Sequence, residues 1–150
     1  MMNNGGGGGG GGGVTIEAVA SGEQEVPSVT TDTSASVELE FDAGYTKVDY
    51  TLHIEDGVGV TQAHLHCAPA GTNGPVVAFL YGKIDDGVDF EDDEVEGTIE
   101  NGDISPQEDC GGVPLNNVAS LYHAIRQGYI YVNVHTIANP GGEVRGQLFV

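Results

Sequence analysis

Five histidines occur among the 150 residues, and three of them are spaced as metal ligands would be. His64 and His66 alternate with Ala63, Leu65 and Cys67. In an extended chain both rings then leave the same face, about 6.6 Å apart along the strand. Two imidazoles at i and i+2 can chelate one transition-metal ion. His135 ends the run Tyr129-Ile130-Tyr131-Val132-Asn133-Val134-His135, where Ile130, Val132 and Val134 take the apolar face. That parity leaves His135 on the polar face with Tyr131 and Asn133. If the two strands are neighbours, three rings can meet, and three imidazoles suit copper or zinc far better than calcium or magnesium. The competing reading is a hydrogen-bonded histidine cluster that shapes a loop. His53, among Lys47, Asp49 and Thr51, and His123, opposite the apolar stripe of a helix, read as plain surface histidines.

Strands must position these rings. Residues 14–20 alternate and end at Ser21-Gly22. Ala35, Val37, Leu39 and Phe41 point one way while Ser34, Ser36, Glu38 and Glu40 point the other, which is a half-buried antiparallel strand. Asp42-Ala43-Gly44 turns the chain, and Val48, Tyr50, Leu52 and Ile54 form a second apolar stripe. Further strands are predicted over 60–67, 75–81, 95–100, 129–135 and 143–150. One helix is predicted over 114–127, because Leu115, Val118, Leu121, Tyr122 and Ile125 share a face, Pro114 suits the first turn and Gly128 the C′ position. Seven or eight short strands with turn signals between them predict an all-β fold, a Greek-key β-sandwich or barrel of antiparallel strands with one short α-helix.

Four basic against 23 acidic residues give a net charge of −19. Such a field repels nucleic acid and anionic lipid, which excludes both as partners. Twelve of the acids lie between Asp85 and Asp109 and read as a solvated acidic loop. Asp85, Asp86, Asp89, Asp92 and Asp93 offer oxygen ligands for calcium, but without the regular spacing of an EF-hand loop. Acid excess with few lysines also suggests adaptation to high salt, where counterions screen self-repulsion. No apolar run approaches the ~20 residues that cross a bilayer, so no transmembrane segment is expected. Cys67 ends a predicted strand and Cys110 sits in a Pro/Gly-rich loop, which favours a strand-to-loop disulfide worth on the order of 4 kcal/mol. Residues 1–13 run from Met1-Met2-Asn3-Asn4 into nine glycines, without the pattern of a signal peptide. Such a tail reads as a flexible tether of the kind that follows the lipidated cysteine of surface lipoproteins, or as an appended expression linker. The domain itself is expected over 14–150.

Five segments in order carry a family resemblance. They are Ser21-Gly22-Glu23-Gln24-Glu25-Val26-Pro27, Gln62-Ala63-His64-Leu65-His66, Gly71-Thr72-Asn73-Gly74-Pro75-Val76-Val77, Tyr131-Val132-Asn133-Val134-His135-Thr136 and Asn139-Pro140-Gly141-Gly142-Glu143-Val144-Arg145-Gly146-Gln147-Leu148. Together they resemble the CHRD domain, the repeat first named in the secreted protein chordin, over nearly all of 14–150. The resemblance implies an extracytoplasmic domain, secreted or at the cell surface. It does not carry over chordin's antagonism of growth factors, because nothing here resembles chordin's cysteine-rich modules.

A second, weaker resemblance is to the Cu,Zn superoxide dismutase barrel. It rests on the H-x-H strand, a Gly/Asn/Gly-Pro loop, a later V-x-V-H strand and a closing N-x-G-G-x-x-R turn. It implies that His64, His66 and His135 ligate copper, that Arg145 stands near the open copper position, and that Cys67–Cys110 is a loop disulfide. The loop after His66 holds no histidine that could bridge copper to zinc, and no zinc site of three histidines and an aspartate can be assembled. These departures argue against a dismutase and leave a mononuclear copper site. Around it, Arg145 reads as the partner of Glu143 or Glu25 in an ion pair, and Asn133 and Tyr131 as groups that orient the ligand rings. Asn139-Pro140-Gly141-Gly142 reads as a turn. The expected function is copper binding for storage, delivery or redox. An adhesion or assembly module, with histidines that only stabilise loops, is the alternative.

Overall fold

The computed structural model describes residues 13–150; the glycine tail, apart from Gly13, lies outside the described residues. Seven antiparallel strands form one sheet that curls into a nearly closed barrel. They are β1 (Val14–Ala20), β2 (Ser34–Phe41), β3 (Lys47–Cys67), β4 (Val76–Gly82), β5 (Val88–Glu100), β6 (Ile130–Thr136) and β7 (Val144–Gln147), with one helix, α1 (Val118–Arg126), between β5 and β6. The apolar stripes of the first hairpin pack inward as their alternation requires. Val37, Leu39, Phe41, Val48, Leu52 and Ile54 are all at most 2% exposed. Each such side chain contributes roughly 1.5–3 kcal/mol by leaving water.

The predicted strands over 48–54 and 60–67 are in fact one strand of 21 residues. Asp56 and Gly59, at φ 55° and 63°, bend β3 without ending it, and a register shift falls between Gly57 and Val60. The bend lets the strand change neighbours. Its first half lies between β2 and β5, and its second half between β4 and β6. β6 then pairs with β7, and a Ser21–Arg145 bridge joins the end of β1 to β7, which nearly closes the barrel.

The acidic segment is a strand too, where a solvated loop was expected. β5 begins at Val88 rather than at 95 and pairs with β3 from Val60 back to Lys47. Only Phe90 and Ile99 of β5 are buried. Its carboxylates stay in water because β3 supplies the backbone pairing, and charge along such a strand discourages pairing with other chains. The helix is shorter than predicted. Asn117 caps it by accepting from Ser120 N at 2.8 Å, with Ser120 Oγ accepting from Asn117 N at 3.0 Å. A cap there is preferred to a proline start at Pro114, and the neighbouring Leu115 instead bridges to Gln107. Gly128 follows the helix at φ 79°, as its C′ position requires. The last strand stops at Gln147, short of 150. Cys67 and Cys110 are disulfide-bonded, with Cα atoms 6.1 Å apart, so the end of β3 is tied to the loop before α1.

Candidate metal centre

Strand parity sends Ala63 and Leu65 into the barrel and His64 and His66 to its outer side. On β6, Val132 and Val134 face the core while Tyr131, Asn133 and His135 join the histidines; Arg145 and Gln147 extend the same face on β7. Register places His64 opposite Asn133, His66 opposite Tyr131 and Gln62 opposite His135. An outward sheet face would ordinarily be wet. Here three loops cover it and bond to it: Gln24 and Glu25 reach Gln147 and Asn133, Pro69 and Asn73 reach Arg145, and Pro140 reaches His135. The result is a second, polar core outside the barrel, in which His64, His66 and His135 are 4%, 8% and 7% exposed.

The hydrogen bonds of the rings decide where their lone pairs point. His66 Nδ1 faces the Gly74 carbonyl at 2.9 Å, and His135 Nδ1 faces the Pro140 carbonyl at 2.8 Å. A carbonyl only accepts, so each Nδ1 carries its proton and each Nε2 is left a bare acceptor. His64 Nε2 faces Gln62 Oε1 at 3.0 Å, which by the same logic leaves its Nδ1 bare. One nitrogen of each ring lies within 4.8 Å of the other two. His64 Nδ1 and His135 Nε2 are 3.1 Å apart, and His66 Nε2 is buried without a partner. In neutral rings the 3.1 Å contact sets lone pair against lone pair and cannot be a hydrogen bond. A cation between them would relieve that contact.

A proton is poorly suited to that role. Burial pushes His64 down to about 3 and His66 down to about 4, with the neighbouring imidazoles adding to both shifts, and burial lowers His135 as well. At neutral pH the three rings are uncharged, which is the form that ligates metal. The closest two nitrogens are spaced to share an ion. Two nitrogens 3.1 Å apart subtend about 98° at an ion 2.0–2.1 Å from each, close to a tetrahedral angle. The outer N–H of every ring is held by an oxygen, the usual support for ligating histidine.

The remaining polar residues build the walls. Tyr131 stacks on His66 at 4.8 Å between centroids, and its hydroxyl accepts from Gly74 N at 3.0 Å. Arg145 lies 3.5 Å over the Tyr131 ring and donates to the Pro69 carbonyl, Asn73 and Gln147. The expected ion pair of Arg145 with Glu143 or Glu25 is absent. Among the described residues the ion pairs are His53–Glu55, His53–Asp92 and Lys83–Asp85. The aromatic face and neutral oxygens satisfy the buried guanidinium instead. Glu143 is engaged elsewhere. Thr31 and Thr33 donate to its Oε2, and Thr136 and Asn139 to its Oε1, at 2.6–3.0 Å. Burial would raise its carboxyl, but these four donors outweigh burial and hold it at about 2. Glu25 has one such donor, Asn133 at 2.6 Å, so burial prevails and lifts it to about 7.

Sequence reasoning missed Gln62, the two carbonyls, and Phe79, whose ring meets the edge of His64 at 4.3 Å. Gln62 was accessible, because it lies two residues before His64 on the same strand face. The carbonyls carry no side-chain signal. His53 is not a plain surface residue either. It is half-buried, bonds Asp92 on β5 and lies 4.0 Å from Glu55, and these carboxylates raise its pKa. The aspartates considered for calcium do not converge: Asp85 pairs with Lys83, Asp89 accepts from Gly59 N, and Asp92 holds His53.

The family model of the CHRD domain matches residues 16–148. No curated protein and no solved structure matches the chain.

Proposed function

The chain belongs to the CHRD domain family, and we propose that this extracytoplasmic type of module holds one copper ion on His64, His66 and His135, for storage, delivery or redox. The observation that carries the reading is the convergence of three bare imidazole nitrogens, each ring anchored from behind by an oxygen. Three imidazoles suit copper or zinc, and copper stands above zinc in the affinity order for nitrogen ligands. Bound there, copper would supply a centre that can gain or lose one electron. The chain's own part is to keep the rings neutral, fix their orientation through Gln62, Gly74 and Pro140, and exclude water with the loops at Glu25, Asn73 and Pro140. The Cys67–Cys110 disulfide agrees with an oxidising compartment. A lipid-anchored glycine tether at residues 1–13 would hold the module at a surface.

Elemental analysis of protein purified without added metal should find about one copper per chain. His64→Ala combined with His66→Ala should abolish stoichiometric copper uptake while circular dichroism retains the β spectrum. Unchanged uptake in that double variant would place the site elsewhere. An adhesion or assembly role rests on another face, where Val58, Ile84, Val88 and Ile137 are 70%, 41%, 41% and 58% exposed. Absence of stoichiometric copper uptake by the wild-type protein would favour it.

A further inference from the structure

We infer that this centre selects monovalent over divalent copper, and that Gln62 sets the preference by giving His64 a neutral partner. The inference rests on the copper reading and concerns which charge the site accepts. All three ligands are neutral imidazoles, and the donor set holds no carboxylate or thiolate.

The shell behind the ligands is neutral as well. In many metal sites a carboxylate takes the outer N–H of a ligating histidine and makes the ring more basic. Here the acceptors are the Gln62 side-chain amide and the carbonyls of Gly74 and Pro140. The other charged groups of the polar core do not alter this. Glu143 is bonded to its four donors, Arg145 carries the opposite charge against Tyr131, and burial favours the protonated form of Glu25. The rings are buried, and the Phe79 ring closes on His64. The cost of moving an ion from water into such a site grows with the square of its charge, so a dication pays about four times the penalty of a monocation. No anion in the first or second shell offsets the difference. Three nitrogen ligands also complete a coordination number that monovalent copper readily accepts, whereas divalent ions call for further ligands.

The test measures both affinities on the full chain. Monovalent copper is titrated under ascorbate without oxygen, against a chromophoric chelator specific for that state. Divalent copper is titrated in air against a competing chelator. The same pair of titrations is run on Gln62→Glu, which puts a carboxylate behind His64 at a half-buried position. Wild-type protein should bind the monovalent ion at least tenfold more tightly, equivalent to a midpoint potential about 59 mV or more above that of aqueous copper. Gln62→Glu should reduce that ratio at least tenfold. Equal or tighter binding of divalent copper by the wild type overturns the inference, as does a ratio that Gln62→Glu leaves unchanged. If Gln62→Glu does not fold, the wild-type ratio decides alone. Failure to bind copper in either state refutes the copper reading itself, a different result from binding with the opposite preference.

Discussion

Glu143 is the most exposing place to perturb the polar core, because its whole contribution can be switched by pH. Its carboxylate accepts from Thr31, Thr33, Thr136 and Asn139, and is only 6% exposed. Those donors hold it at about 2, against an ordinary value of 4.5. At about 1.4 kcal/mol per pH unit, the ionised form stabilises the folded chain by about 3 kcal/mol. The folded value is depressed, so this stability is fully present above pH 4.5 and is lost as pH falls toward 2. Glu143→Gln keeps the size and removes the charge. It imitates the protonated carboxyl, so its penalty should be about 3 kcal/mol at neutral pH and should vanish near pH 2. Urea unfolding of both proteins between pH 2 and 7 reads the difference directly. In melting temperature at neutral pH the gap should be roughly 6–12 °C, at 2–4 °C per kcal/mol for a chain of this size. A gap that stays constant across the pH range would refute the reasoning, because the penalty would then come from packing and not from an ionised carboxylate.

Other consequences follow from the same geometry. Gly142 has φ 126°, and a Cβ there would lie 2.3 Å from Asn133 Nδ2 and 2.6 Å from Glu25 Oε2; Gly142→Ala should cost on the order of 2–3 kcal/mol in urea unfolding and weaken metal uptake by displacing the loop at Pro140. Replacing both Cys67 and Cys110 by alanine should cost on the order of 4 kcal/mol, and the same loss should appear when wild-type protein is unfolded with reductant present. Like charges face each other across strands at Glu17–Glu38, Glu40–Asp49 and Glu55–Asp92. The melting temperature should therefore rise between 0.01 and 1 M potassium chloride, as the screening length shrinks from about 30 to about 3 Å. A melting temperature independent of salt would argue against adaptation to high salt.

Much of the fold was legible wherever one face of an element meets the core and the other meets water. The alternation of Ala35, Val37, Leu39 and Phe41, and of Val48, Leu52 and Ile54, identified the first hairpin with the correct buried faces. The parity of His64, His66 and His135 put all three on one side of their strands for the same reason. Alternation failed where an element has no apolar face. β5 looks like a loop because only Phe90 and Ile99 are buried, and its strand character comes from pairing with β3, which local sequence does not encode. The helix start failed for a different reason, since a capping asparagine and serine outranked the proline that sequence position favoured.

For the candidate centre, the sequence by itself determined which side chains could act as ligands and that they share a face. Only the tertiary structure decided that the rings meet, since a bend of β3 at Asp56 and Gly59 was needed to bring β6 against its second half. It also decided what stands behind the rings. Two of the three acceptors are backbone carbonyls of loops, which any residue type could supply, so no pattern of residue types can reveal them. Arg145 shows the same division. Its charge suggested a carboxylate partner, yet the register of β6 and β7 set it over Tyr131, with Glu143 turned to three threonines and an asparagine. Residue type and spacing limit what a group can do; the partners it finds depend on which distant segments the closed barrel presses together.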